Sequence, residues 1–260
     1  QQVINSLIRF VEQVYIPDLL AVAPYYLDYA LLGEGLGNFM SYGEFPLGKP
    51  NDFSNANLLV PRGAILDRTL EVQEIDPKDA EHIQEFIKHS WYEYGQGSET
   101  GLHPFDGETK FAYDKQGGPK PPFEELNVDQ GYTWLKAPRW KGHAMEVGPL
   151  ARVLMMFASG NQATVDLATA VLDTLNTSPQ AAEAGLDGKI GTEHLFSTLG
   201  RTAARGIETS VFVHEMLGWF DKLVANIGAG KIDNWNGAKW NPSEWPDKAQ
   251  GFGFTEAPRG

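Results

Sequence analysis

With 260 residues, 42% of them hydrophobic and 12% aromatic, the chain can bury a substantial core and does not have the composition of a disordered protein. Its 21 basic residues against 34 acidic ones give a net charge of −13. No Lys/Arg run or basic stripe with interleaved aromatics is present, so nucleic acid is a poor candidate partner. The longest apolar region, residues 14–33, is interrupted by Pro17, Asp18, Pro24 and Asp28. It fails the requirement of about 20 uninterrupted apolar residues for a membrane span and reads as buried helix.

Val3, Ile4, Leu7, Ile8, Val11, Val14 and Tyr15 recur at helical spacing, which predicts an opening amphipathic helix buried along one face. No basic leader or cleavage site opens the sequence, so no signal peptide is expected. Pro17 and Pro24 should kink or divide the next helical stretch. From 33 to 73, glycines punctuate short apolar runs, the texture of strands or hairpins; GEGLG at 33–37 lacks the glycine spacing and succeeding helix of a dinucleotide loop. Asp76 as cap, Pro77 at the first helical position, and Asp79 and Glu81 near the positive dipole end predict a helix running to about Tyr94. On it, His82, Glu85 and His89 read better as a solvated polar face than as a metal site.

Residues 95–131, with DKQGGPKPP at 114–122, keep no period and read as a long loop, functional or covering a partner surface. Residues 146–176 read as two helices joined near 159–161. From His194 to about Ile227 comes the longest helix, whose small residues, Ala203, Gly206 and Ser210 among them, allow a second helix to approach closely. Spaced tryptophans at 235, 240 and 245 are expected to pin an ordered loop onto the core. No repeat or dividing linker is evident, and a predominantly helical, mainly α body with a small β appendage fits best.

Arginines stand among Gly, Pro and Ala in three distant places: PRWKGHAMEVGPLAR at 138–152, GRTAARGIE at 200–208 and APRG at 257–260. This implies buried, paired charges, because an unpaired buried guanidinium costs several kcal/mol or more. Arg139, Arg152, Arg201, Arg205 and Arg259 have Glu146 and Glu208 as the nearest candidates in sequence, and Arg205 with Glu208 is an i,i+3 pair. Structural ion pairs in a helical core are the plainest reading of the set.

Together with HSWYEY at 89–94, GLHPFDG at 101–107, STLGRTAAR at 197–205 and TEAPRG at 255–260, these stretches resemble the middle of the large, catalytic subunit of nickel-iron hydrogenases, in particular the membrane-associated uptake type. The segments occur in the family's order and approximate spacing. The resemblance implies one incomplete large-subunit domain over 1–260, a multi-helix core with a β-rich insertion at about 33–73 and a long loop at about 95–131. It also implies heterolytic, reversible cleavage of H2, with electrons passed to an iron–sulfur small subunit and through it to a membrane cytochrome b, on the periplasmic face of the bacterial cytoplasmic membrane.

The family holds its nickel-iron centre, with CO and CN on the iron, through two Cys-x-x-Cys pairs, since soft thiolates suit these metals; magnesium is a further candidate. This chain has no cysteine. The implied ligands lie outside the sequence, and the 260 residues alone are expected to bind no nickel, to be inactive, and to expose apolar patches. The alternative is a metal-free docking or structural relative, as in respiratory complex I. Splitting hydrogen heterolytically needs a metal for the hydride and a nearby base for the proton. Arg259 corresponds to the family's arginine over the open side of the centre, as proton acceptor or as a fixed charge that orients gas and water, with Pro258 beside it. In this chain Arg259 is expected in a flexible tail. His103 corresponds to a histidine at the small-subunit contact near the nearest cluster, or is simply satisfied by a loop carbonyl.

Overall fold

The computed structural model describes residues 1–49, 52–107, 109–112, 129–235, 237 and 240–260, so the DKQGGPKPP stretch and the middle of the expected 95–131 loop lie outside the described residues. In chain order the helices are α1 (Gln2–Phe10), α2 (Ile16–Val22), α3 (Pro149–Ala158), α4 (Gln162–Asn176), α5 (Pro179–Ala184) and α6 (Thr198–Gly228). The strands are β1 (Phe39–Ser41), β2 (Glu44–Pro46), β3 (Leu58–Val60), β4 (Gly63–Ile65), β5 (Ile83–Phe86), β6 (Tyr92–Glu93), β7 (Lys110–Phe111), β8 (Ala137–Trp140) and β9 (His143–Ala144). Two compact units result: Gln1–Gly35 with Met156–Thr255, and Leu36–Met155 with Glu256–Gly260. Strands continue well past residue 73, so the architecture is mixed rather than clearly mainly helical.

The first unit is helical. Pro17 has no N–H to donate, and the turn before it widens to π spacing over Val11–Tyr15, with the Ile16 amide reaching the Val11 carbonyl. Pro24 opens a 3-10 stretch, Ala23–Ala30, that breaks at Tyr26. The opening helix is less buried than its periodicity predicts: no residue of α1 is buried, Val3 is 81% exposed, and the first buried side chain is Val11. Asn161 and Ser197 cap α4 and α6 by accepting from the amides of Thr164 and Gly200, both at 3.0 Å. The expected break at 159–161 and the expected longest helix are both present. Gly206 meets α2 as anticipated: a Cβ there would stand 2.7 Å from Leu19 Cδ1 and 3.2 Å from Ile16 Cδ1. Leu27, Leu175, Ala181 and Ile190 form a buried cluster beneath these helices. The three tryptophans do not pin a loop to a core. Trp235, Trp240 and Trp245 are exposed, and Trp235 and Trp240 pack edge-on against each other, centroids 5.5 Å apart. That mutual contact shields part of the Trp235 and Trp240 rings from water.

His214 on α6 binds the Ser210 carbonyl at 2.7 Å and the Glu12 carboxylate at 2.9 Å. Its pKa is raised above 6.5, first by the Ser210 carbonyl and then by Glu12 and Glu215, against the effect of burial. A raised histidine stabilises the folded state fully below its unfolded pKa and loses that contribution as pH rises through the folded one. We expect His214→Gln to lower the unfolding free energy, measured by urea titration, by at most about 0.5 kcal/mol at pH 6 because the pair is half exposed, and not at pH 9; an equal loss at both would remove the ion pair from the account.

The second unit is built of small antiparallel sheets. β1 pairs with β4 (Met40 opposite Ala64), β2 with β3 (Glu44 opposite Val60), β5 with β8 and β8 with β9, and β6 with β7. Met40, Ala64, Ile75, Ile83, Trp140 and Met145 make its buried cluster. The expected hairpins within 33–73 are therefore present, but the helix expected from Asp76 to Tyr94 is not. Asp76 does cap a turn, its carboxylate accepting from the Lys78 amide at 3.0 Å. The chain beyond it instead pairs as β5 with residues far along the sequence, Ile83 opposite Trp140 and Phe86 opposite Ala137. Burial of Ile83 in that pairing, and of Ile87 just beyond it, outweighs the local helical signals. With the helix gone, the polar triplet disperses: His82 binds Asp79 at 2.7 Å, Glu85 faces Lys136 at 3.4 Å, and His89 stacks on Tyr132.

Candidate functional site

The place where distant motifs converge is the strand-rich unit, at the start of α3. Gly148, at φ +106, turns the chain into Pro149, and one turn later Arg152 points inward with its side chain 5% exposed. Its guanidinium donates from Nη1 to Glu256 Oε1 at 3.1 Å and to the Ala257 carbonyl at 2.7 Å, and from Nη2 to the Pro258 carbonyl at 2.6 Å. The planar fork of arginine suits several oxygens at once, which a lysine ammonium would not match in geometry.

Glu256 is itself anchored twice more. Its Oε2 accepts from the Tyr42 amide just past β1 at 2.8 Å, and its own amide donates to Glu44 Oε2 on β2 at 3.0 Å. Burial pushes the Glu256 carboxyl up from its ordinary value, and nearby Glu44 adds to this, while the Tyr42 amide and Arg152 pull it down. The Tyr42 phenol is pushed up to about 12, by burial first and then by the charges of Glu85 and Glu256. Beyond Pro258 the backbone lies directly on α3's entry: a Cβ on Gly148 would be 2.6 Å from the Arg259 carbonyl oxygen, and one on Gly260 would be 2.3 Å from Val147 Cγ2. The Gly260 amide closes a turn onto the Ala257 carbonyl at 2.9 Å. Arg259 is thus not in a free tail; its backbone is seated and its side chain is exposed.

The structure brings Arg152, Pro258 and Arg259 together and supplies a carboxylate, Glu256, that lies 104 residues from Arg152. Nearness in sequence pointed to Glu146 and Glu208 instead. Glu146 is tied by its backbone to Asn38 and Met40 beside β1. Arg139 lies over the Phe86 ring at 5.4 Å and donates to the Pro138 carbonyl. In the helical unit, Arg201 binds the carbonyls of Gly33 and Phe196, Arg205 binds the Arg201 carbonyl at 2.9 Å, and Glu208 is buried. Sequence reasoning missed Glu256, Glu44 and Gly148 as site residues. The available signal was Glu256's place inside the same TEAPRG motif as Arg259.

His103, in the GLHPFDG motif, is buried. Its Nε2 donates to the Pro77 carbonyl at 2.9 Å and its Nδ1 accepts from the Phe105 amide at 3.1 Å, so the ring fastens the 102–106 turn and leaves Phe105 67% exposed. Among the described residues no group of three or more His, Asp or Glu side chains is placed to hold a metal ion, and the sequence has no cysteine. These residues do not by themselves fit a nickel or iron centre.

A sequence model of the nickel-dependent hydrogenases matches residues 1–260, and the chain belongs to that family. It is 44% identical over 265 residues to the uptake hydrogenase large subunit of Bradyrhizobium diazoefficiens, covering 99% of this chain and 42% of that protein. To the hydrogenase-1 large chain of Escherichia coli it is 37% identical, covering 100% and 42%. The NiFeSe hydrogenase of Desulfovibrio vulgaris Hildenborough superposes with a TM-score of 0.59 at 29% identity, over 84% of this chain and 38% of that one. The chain therefore spans about 42% of the length of the curated relatives it matches.

Proposed function

We propose that residues 1–260 are the central part of the large subunit of a nickel-iron uptake hydrogenase, which cleaves H2 reversibly and heterolytically and passes the electrons to an iron–sulfur small subunit. The observation that carries this reading is the seating of residues 256–260: the family's Pro-Arg-Gly stands on a fixed backbone with the Arg259 side chain free of the core. The uptake type is supported by relatives such as that of Bradyrhizobium diazoefficiens. The chain's donor set lacks thiolates, so the ligands of the nickel-iron centre, with its CO and CN groups, are assigned outside these residues, as is magnesium. What this chain contributes is position and charge: Arg259 presents a permanent cation, and Pro258 a rigid apolar wall beside it.

The turn fastened by His103, with Phe105 exposed, is the candidate contact with the small subunit and its nearest cluster; an apolar side chain standing out of an anchored turn suits a buried interface. A membrane cytochrome b as acceptor and a place on the periplasmic face of the cytoplasmic membrane complete the proposal, and both rest on the resemblance of the sequence motifs to the uptake type. Among the described residues no helix is long and apolar enough to cross a membrane.

The test is to purify the natural gene product with its partner, and to measure nickel content and H2-dependent dye reduction. Stoichiometric nickel and H2 uptake are expected, with Arg259→Lys lowering kcat about 100-fold at unchanged nickel, the scale of removing one preorganised electrostatic contact. Residues 1–260 expressed alone should retain no nickel through dialysis. Nickel held by those residues alone, or a natural product without nickel, would overturn the reading; the latter would favour a metal-free docking subunit.

A further inference from the structure

The geometry points to Arg152 as a positioning residue for Arg259, acting with Glu256 and Gly148 as a three-point seat for the Ala257–Gly260 backbone. This inference rests on the role proposed for Arg259, but its structural content is separable from it.

One guanidinium grips the two carbonyls that immediately precede Arg259, at 2.7 and 2.6 Å. Gripping successive carbonyls fixes the orientation of two peptide planes, and with them the direction in which the next residue leaves the backbone. Glu256 keeps the fork itself in place. Its carboxylate faces Arg152 on one side and the Tyr42 amide on the other, while its amide is held by Glu44, so the clamp is referred to β2 and to the residue that directly follows β1. Gly148 closes the third side. A side chain there would overlap the Arg259 carbonyl oxygen at 2.6 Å, and the positive φ of +106 is itself glycine's conformation. Burying the Arg152–Glu256 pair carries a desolvation cost, and a buried ion pair is by itself weak evidence for stability. A buried charge that spends its donors on the two carbonyls before a functional side chain is better explained by position than by stability.

The test uses the natural gene product with its partner. Arg152→Lys keeps the charge opposite Glu256 but replaces the fork by a point donor that does not span both carbonyls. We expect kcat for H2-dependent dye reduction to fall about 100-fold, with KM nearly unchanged and nickel retained, because a displacement on the order of 1 Å at a reacting site has about that effect. Faster hydrogen exchange at the amides of Arg259 and Gly260 should accompany it. Gly148→Ala, which presses on the Arg259 carbonyl from the other side and leaves the ion pair intact, should reproduce both effects. It also carries the test if Arg152→Lys fails to assemble.

The double variant Arg152→Lys with Arg259→Lys should be no slower than Arg259→Lys alone, since both act through one side chain. Full multiplication of the two losses would overturn the positioning role, as would wild-type kcat and exchange in both Arg152→Lys and Gly148→Ala. If Arg259→Lys is itself fully active, the role of Arg259 fails, and the seat is then judged by the exchange measurement alone.

Discussion

Arg152→Met is expected to destabilise the strand-rich unit by about 3–5 kcal/mol near neutral pH, the scale of leaving one member of a buried ion pair alone, and by clearly less in mild acid. The Arg152 and Glu256 side chains are 5% and 7% exposed, so neither has water to fall back on. The Glu256 carboxyl is already raised above its ordinary value of 4.5, with Arg152 among the groups that hold it down. Without the guanidinium only the Tyr42 amide opposes burial and Glu44, and the folded-state pKa must rise further.

A carboxyl with a raised folded pKa keeps its proton in the native state over a range of pH in which the unfolded chain has lost it. Stability therefore falls as pH rises through that window, from 4.5 up to the folded value. Methionine widens the window. Urea midpoints at pH 5 and pH 8 should show the larger deficit at pH 8, with a residual deficit at pH 5 from the lost bonds to Ala257 and Pro258. A deficit that is equal at both, or larger at pH 5, would show that the buried charge is not its source.

Gly200→Ala is expected to cost the helical unit about 3 kcal/mol, at the upper end of the range for overpacking, although alanine is the better helix former. The added Cβ would stand 2.0 Å from the Leu195 carbonyl oxygen, 2.5 Å from its carbon and 2.9 Å from the His194 oxygen. All three are backbone atoms of the 3-10 turn Thr192–Phe196, and that turn is tied to α6 through the Ser197 cap, so no flexible side chain can yield. Gly218 on the same helix is the control. Nothing lies within 4 Å of a Cβ there, so Gly218→Ala should gain up to about 1 kcal/mol from helix propensity alone. Opposite shifts in the unfolding midpoint are the expected result, and equal shifts would refute the contact argument.

The sequence motifs proved sound as markers because they record requirements local to the chain or common to the family. TEAPRG and EVGPLAR, far apart in sequence, do meet, and the small residue at 206 does admit α2. Proline chemistry likewise foretold the breaks at 17 and 24, since a missing N–H acts wherever the chain goes. Length, composition and the absence of cysteine excluded a disordered chain and a thiolate metal site within these residues, and the motif order identified the family.

The failures have one cause. A capped, charged start at Asp76 is a helix signal of a few tenths of a kcal/mol up to about 1 kcal/mol, and pairing of β5 with a strand more than fifty residues away buries Ile83 and outweighs it. The partner of Arg152 was sought nearby and lies at Glu256, because a buried charge selects the carboxylate that the fold delivers, whatever its distance along the chain. Periodicity marked an apolar face on α1, and that face is only partly covered, with Ile4 and Ile8 half-buried and Val3 exposed. Sequence by itself determined the local conformational limits, the chemistry available and the family. Only the tertiary structure decided which strand replaced the expected helix, which carboxylate neutralises Arg152, and that the backbone of Arg259 is seated, because those outcomes depend on long-range burial and desolvation.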